Sequence, residues 1–152
     1  MPAAEVFDAL KARFDAGEFV LGAEVPVGAL TDVLRELRDA HGYAFYITGS
    51  ATDRPEEFEI VHGLRNLGSN DEFFVKTRVP KRLPELDSAT AVFAGAEWFE
   101  REILDLFGVT FRSHPDPRRI LMPDDYDGHP LRKDFAMDRP WGYRPTTGSE
   151  EA

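Results

Sequence analysis

Apolar residues recur at three- and four-residue spacing from the start of the chain. Ala3, Phe7, Leu10 and Phe14, with Val6 beside them, form one stripe, and that period predicts an amphipathic helix ending before Gly17. A short strand is expected over residues 18–25 around Phe19-Val20-Leu21, with Gly22 as a bend. Pro26 suits the first turn of a second helix, whose stripe is Leu30, Val33, Leu34 and Leu37 and whose end is marked by Gly42. The period then changes to two. Residues 43–51 are rich in aromatic and β-branched types, residues 57–66 alternate through Phe58, Ile60, His62 and Leu64, and residues 71–79 alternate through Phe73, Val75, Thr77 and Val79. These are three predicted strands. Gly68-Ser69-Asn70 joins the last two as an antiparallel hairpin.

Pro80 and Pro84 close this region, and Ser88 is placed to cap a further helix running through Phe107 to a stop at Gly108. Residues 109–152 hold Pro115, Pro117, Pro123, Pro130, Pro140 and Pro145, which forbid long helices and central strands. The expected architecture is α+β: a two-layer mixed or antiparallel sheet with helices packed on one face, plus an extended proline-rich C-terminal tail. The expected division is a domain over residues 1–108 and a tail over 109–152. That tail carries Ile120, Leu121, Met122, Leu131, Phe135, Trp141 and Tyr143, so it must cover either the domain's own core or a partner.

Composition narrows the function. With 18 Lys+Arg against 28 Asp+Glu the formal net charge is −10, which argues against a free-standing nucleic-acid binder and against direct attachment to anionic lipid. The absence of cysteine removes thiol nucleophiles, disulfides and cysteine-ligated clusters from this chain. No apolar run approaches the ~18–20 residues that a membrane helix needs. The N-terminus, with Glu5 and Asp8, resembles neither a signal peptide nor a transit peptide.

Most of the chemistry lies between Glu97 and Phe135. On the last helix Phe99, Ile103, Leu106 and Phe107 share one face, with Glu97, Arg101 and Asp105 opposite, where exposed ion pairing is expected. Glu100 and Glu102 fall on the borders of the apolar stripe. A half-desolvated carboxylate wants a cation, and the nearest supply in sequence is Arg118-Arg119, so a Glu–Arg bracket clamping the tail to the helix is expected. A general acid or base with raised pKa is the functional alternative. Trp98 and Leu104 lie off the main stripe, as packing variation or as a contact for another chain.

His114, Asp116, Asp124, Asp125, Asp127 and His129 are acceptable ligand types for a divalent ion, but their spacing matches no loop or helix-borne pair. Asp124 to Gly128 reads as an acidic turn, with Gly128 allowing positive φ. The two His-Pro pairs read as extended backbone whose imidazoles bond a nearby carbonyl or carboxylate. Arg132-Lys133-Asp134, between Leu131 and Phe135, reads as an extended strip lying against an acidic groove. No phosphate loop, dinucleotide fingerprint or Ser-His-Asp arrangement is present.

This segment resembles a known family. Ala96-x-Trp98-Phe99-Glu100-Arg101-Glu102, Asp105-Leu106-Phe107-Gly108, His114-Pro115-Asp116, Arg118-Arg119-Ile120-Leu121, Pro123-Asp124-Asp125 and Gly128-His129-Pro130-Leu131-Arg132-Lys133-Asp134-Phe135 are similar to the signature of the 30 kDa-type subunit of respiratory complex I, the proton-pumping NADH:quinone oxidoreductase. The N-terminal part agrees in element order and in Ser88-x-Thr90. Leu104 and Pro117 depart from the usual aromatic and leucine.

The resemblance implies a structural and assembly subunit of the peripheral arm, with no catalytic, cofactor-binding or metal residue of its own. It implies FMN and iron–sulfur clusters on partner subunits. It also implies docking of the tail on the partner that resembles the hydrogenase large subunit, and on neighbouring iron–sulfur subunits. The expected location is the cytoplasmic side of a bacterial plasma membrane, as a stand-alone chain. Membrane-bound hydrogenases and formate hydrogenlyase use equivalent subunits and are the alternative. A small metal-dependent hydrolase using Glu102, His114 and His129 is the remote one.

Overall fold

The structure, a computed structural model, describes residues 3–136. Helix α1 spans Ala3–Phe14 and buries Val6 and Leu10. The residues that follow form two short strands, β1 (Gly17–Phe19) and β2 (Gly22–Glu24), paired antiparallel. The single strand expected over 18–25 is therefore a tight hairpin, reversed at Val20-Leu21, where Leu21 takes φ 60°. Close approach sets the position of Gly22: a Cβ there would lie 1.8 Å from the Phe74 carbonyl oxygen.

Pro26 precedes one 3-10 turn (Val27–Ala29), and α2 (Leu30–Asp39) begins after it. The predicted stripe Leu30, Val33, Leu34 and Leu37 is fully buried, each side chain contributing roughly 1.5–3 kcal/mol of burial. Gly42, at φ 76°, reverses the chain beyond α2.

Strands β3 (Phe45–Asp53), β4 (Glu57–Arg65) and β5 (Glu72–Pro80) form an antiparallel meander. The turn between β4 and β5 is organised by Asn66, whose Oδ1 accepts from the amides of Gly68 (2.9 Å) and Ser69 (3.3 Å) while its Nδ2 donates to His41 O at 3.1 Å. Asn66→Ala is expected to lower stability by about 1–2 kcal/mol, read as a shifted urea midpoint with an unchanged slope.

The five-stranded sheet has the order β1-β2-β5-β4-β3, with β2 and β5 parallel and the other pairs antiparallel. Phe58, Ile60, His62 and Leu64 of β4 and Phe73, Val75, Thr77 and Val79 of β5 point to one side, and all are buried. The apolar members share one core with the helices. The opposite face carries ion pairs instead: Lys76 and Arg78 with Glu24, and Arg54 with Glu59.

β6 (Glu85–Asp87) leads into a 3-10 turn (Ala89–Ala91), and α3 covers Ala96–Phe107. The helix expected to start at Ser88 is thus two pieces. Ser88 caps only the short turn, accepting from Thr90 N, and the Ala89 amide is taken by the Glu100 carboxyl at 2.6 Å. After Gly108 the chain forms β7 (Thr110–Arg112), parallel to β6. Residues on both sides of the expected 108/109 division are therefore hydrogen-bonded together. Residues 113–136 then run as turns and bends along α3 and back to the end of β3.

Candidate functional site

The segment following β7 satisfies the C-terminal end of α3. The last turn of a helix leaves its carbonyls without intrahelical partners and carries partial negative charge. Here each carbonyl is taken. Gly108 N bonds Leu104 O at 2.9 Å. His129 Nδ1 donates to Asp105 O at 2.9 Å, and Leu131 N bonds Leu106 O at 3.1 Å. Arg132 Nε donates to Phe107 O at 2.5 Å. Gly108, in the left-handed region at φ 72°, makes the turn that allows this, and a Cβ on it would lie 2.5 Å from the His129 ring.

Asp105 is the second anchor. Its carboxylate is fully buried. Oδ2 accepts from the amides of Ile120 (3.1 Å), Leu121 (2.7 Å) and Met122 (2.8 Å), and Oδ1 accepts from Arg119 Nη1 at 2.8 Å. Burial alone would raise its pKa, but the Met122, Leu121 and Ile120 amides and the Arg119 guanidinium hold it below the ordinary aspartate value. Arg119 uses its other nitrogen on Tyr126 O (3.1 Å) and Gly128 O (3.0 Å), so one residue ties the acidic turn to the helix. Gly128 takes positive φ, 104°, as expected for that turn.

These contacts correct two expectations. Asp105 is not an exposed partner of Arg101. Arg101 instead donates to Arg118 O (3.1 Å) and Arg119 O (3.2 Å), and its guanidinium lies over the Trp98 ring. The Glu–Arg bracket is an Asp105–Arg119 bracket. Arg118 pairs with Asp116, and Glu100 is fully buried away from both arginines' charges. Its oxygens accept from Ser88 Oγ (2.5 Å) and Ala89 N (2.6 Å), and burial pushes its pKa up to about 7. The physical reason is that α3 has two buried sides, one on the sheet and one under the tail, whereas periodicity reveals only the first.

Both His-Pro imidazoles bond backbone carbonyls as expected. His114 Nδ1 accepts from Asp116 N at 3.0 Å, which leaves the proton on Nε2, donated to Glu97 O at 3.1 Å. Glu102, His114 and His129 are not brought together. Glu102 is exposed, and the two imidazoles are held at Glu97 and Asp105, roughly 12 Å apart along the helix.

The Arg132-Lys133-Asp134 group is not an extended strip. Arg132 N bonds His129 O and Phe135 N bonds Arg132 O, so the chain turns there. The Arg132 guanidinium lies 5.2 Å from the Phe58 ring centroid, and the Lys133 amide donates to Asp53 Oδ2 at 2.7 Å. Trp98 (60% exposed), Leu121 and Leu131 face outward, as do Glu102, Asp124, Lys133 and Asp134, whereas Asp125 is half-buried. Trp141 and Tyr143 lie outside the described residues. Asp53, Ser88 and the pair of half-buried Tyr46 with buried His62 (Oη to Nδ1 2.8 Å) are parts of the site that periodicity did not reveal. Among the described residues no helix is long and apolar enough to cross a membrane.

Comparison with known proteins agrees with this fold. Residues 23–140 match the family described as respiratory-chain NADH dehydrogenase, 30 Kd subunit. The chain is 41% identical over 120 residues to a subunit of the NADH-quinone oxidoreductase of Moorella thermoacetica, covering 78% of this chain and 81% of that one. It is 45% identical over 98 residues to NADH-quinone oxidoreductase subunit 5 of Thermus thermophilus, covering 61% of this chain and 45% of that longer protein. Among solved structures, a trypsin-resistant fragment of Nqo5 superposes with TM-score 0.67 at 29% identity, covering 76% of this chain and 99% of the fragment. A chain of the membrane-bound sulfane sulfur reductase, an archaeal respiratory membrane complex, superposes with TM-score 0.76 at 28% identity, covering 88% and 85%. The sequence, the α+β fold and the α3-centred segment together make this chain a member of the 30 kDa subunit family of the respiratory-chain NADH dehydrogenase.

Proposed function

We propose that this chain is a structural and assembly subunit of the peripheral arm of a proton-pumping NADH:quinone oxidoreductase. In this reading it carries no redox group and performs no catalysis alone. FMN and iron–sulfur clusters belong to its partners. It docks on the partner that resembles the hydrogenase large subunit and on the neighbouring iron–sulfur subunits, at the cytoplasmic face of a bacterial plasma membrane. It meets the membrane only through the complex.

The observation that carries the reading is the division of labour within the family segment. Asp105, Arg119, His114, His129 and Arg132 are consumed in fixing the tail to α3. Trp98 and Glu102, one helical turn apart, face outward, and Glu102 has no hydrogen bond or ion pair among the described residues. The Trp98 ring meets the Arg101 guanidinium yet stays 60% exposed, and an exposed aromatic beside an unpaired carboxylate suits a partner surface.

Glu102→Ala is therefore expected to leave the stability of the isolated chain within about 0.5 kcal/mol while reducing incorporation into the complex, measured on solubilised membranes. Arg119→Ala is expected to impair both. Full incorporation of Glu102→Ala would remove the interface from this face. A related membrane complex is the second reading, favoured by the sulfane sulfur reductase neighbour. Tagging the chain in its host separates the two: a co-purifying flavin subunit that oxidises NADH supports the first, and a different catalytic subunit supports the second.

A further inference from the structure

We propose that the β1–β2 turn at Val20-Leu21, with Leu67 beside it, is a docking point for a partner protein that presents an apolar cleft bordered by lysine or arginine. The inference does not rest on the function proposed above. Val20 and Leu21 precede residue 23, where the family match begins, and β1 and β2 lie at the opposite edge of the sheet from β3, on which α3 packs.

The turn is an outlier in backbone conformation. Phe19 pairs with Gly22, so Val20 and Leu21 are the two central residues of a tight turn. Leu21 takes φ 60° while Val20 stays at negative φ. That pattern calls for glycine or asparagine at the second central position, because a larger side chain in the left-handed region crowds its own carbonyl. The other non-glycine residues at positive φ among the described residues are Asp15, Asn70 and Ser113, all short and polar. Leu21 is the exception.

The same turn is an outlier in solvation. Val20 is 78% exposed and Leu21 64%, and neither joins the core. The hairpin is held by backbone instead: Leu21 O accepts from Phe74 N at 3.0 Å, and Gly22 lies against the Phe74 carbonyl. The fold therefore needs neither side chain, yet it places a strained, exposed leucine next to an exposed valine.

Leu67 extends the patch. It is 69% exposed and stands in the turn that leads into β5, the strand whose first residues carry the Leu21 bond. Phe45, 49% exposed, follows on the far side of that turn, paired with Arg65 at the end of β4. One end of the sheet thus carries an apolar line across three strand spacings, about 14 Å.

Charge selects the occupant. Glu18, two residues before Val20, and Asp71, just ahead of β5, have carboxylates with no hydrogen bond or ion pair among the described residues. Arg65 is committed to Glu72. Among these four groups the charge left over is negative. It repels an anionic bilayer, and a second copy of the chain would bring the same two carboxylates. A protein cleft that is apolar inside and basic at its rim is complementary in both respects.

The test uses the full chain in its host, with the photoreactive residue p-benzoylphenylalanine at position 20. Irradiation is expected to join that position to one protein segment in which apolar residues neighbour lysine or arginine, identified by mass spectrometry of the crosslinked peptide. Leu21→Asn relieves the turn and removes the anchor together. Its urea midpoint is expected to rise, while the crosslink falls about tenfold, the scale of losing one anchoring side chain. Leu67→Ser is expected to leave the midpoint in place and to lower the crosslink, as is Glu18→Gln combined with Asp71→Asn. A crosslink to lipid, to a second copy or to a peptide without basic residues overturns the proposal, as does the absence of any crosslink. So does a crosslink undiminished in Leu21→Asn or in Leu67→Ser. A lowered midpoint in Leu21→Asn also overturns it, since the leucine would then serve the fold.

Discussion

Asp105→Asn is expected to destabilise the protein by about 3–5 kcal/mol, the range for breaking a buried charged pair by altering one partner. The native carboxylate is an acceptor on every side: three amides on one oxygen, a guanidinium on the other, and no exposure. Asparagine keeps the shape but turns one acceptor into a donor. Whichever way the amide is placed, it faces either Arg119 or the row of amides from Ile120 to Met122. A buried donor is left opposing a donor, and the charge balancing Arg119 is gone.

The acid limb provides a second readout. Asp105 has a folded-state pKa below its unfolded value of 3.8. Its stabilising contribution is therefore complete above that value and is lost as pH falls through the lower folded one. The wild type should show this loss on acidification, and Asp105→Asn should lack that component. Urea unfolding at neutral and acidic pH measures both effects. A loss below about 1 kcal/mol at neutral pH would mean that Asp105 is not the anchor its geometry indicates.

Gly108→Ala should follow closely, at about 3 kcal/mol. The left-handed conformation costs alanine about 1–2 kcal/mol. The new Cβ would also sit 2.5 Å from His129 Nε2 and 2.8 Å from Arg132 Nη2. Both side chains must withdraw, losing the bonds to Asp105 O and Phe107 O at roughly 0.5–1.5 kcal/mol each. The specific readout is the Leu131 amide, which bonds Leu106 O and should lose exchange protection. Gly108→Asn separates the two causes, because asparagine tolerates the left-handed region yet carries the same Cβ. If crowding decides, Asn is as harmful as Ala. If backbone conformation decides, Asn is clearly milder.

Much of the fold was legible in the chain. α1 and α2 announce themselves by stripes of three- and four-residue spacing, and β3, β4 and β5 by period two, because each element buries a single face on one core. The failures share one cause. The strand expected over 18–25 is a hairpin because Gly22 must lie against the Phe74 backbone of a strand some fifty positions later. Ser88 caps a short turn instead of α3, and Glu100 reaches back from α3 to bond the next amide. Helical periodicity places Asp105 on the exposed face and Glu100 at its border because it describes a helix packed on one side.

Local spacing and residue type were enough for the α+β class, the order and periodicity of α1, α2, β3, β4 and β5, the acidic cysteine-free character and the family segment. Only the tertiary structure decided which carboxylate takes which donor. α3 is enclosed from both sides, by the sheet and by residues 113–136, and no local period records the second enclosure. Partner choice there follows from the desolvation cost of leaving any charge or amide unpaired. That cost draws Arg119 and three amides to Asp105, places Glu100 on a hydroxyl chain, and leaves Glu102 and Trp98 facing outward.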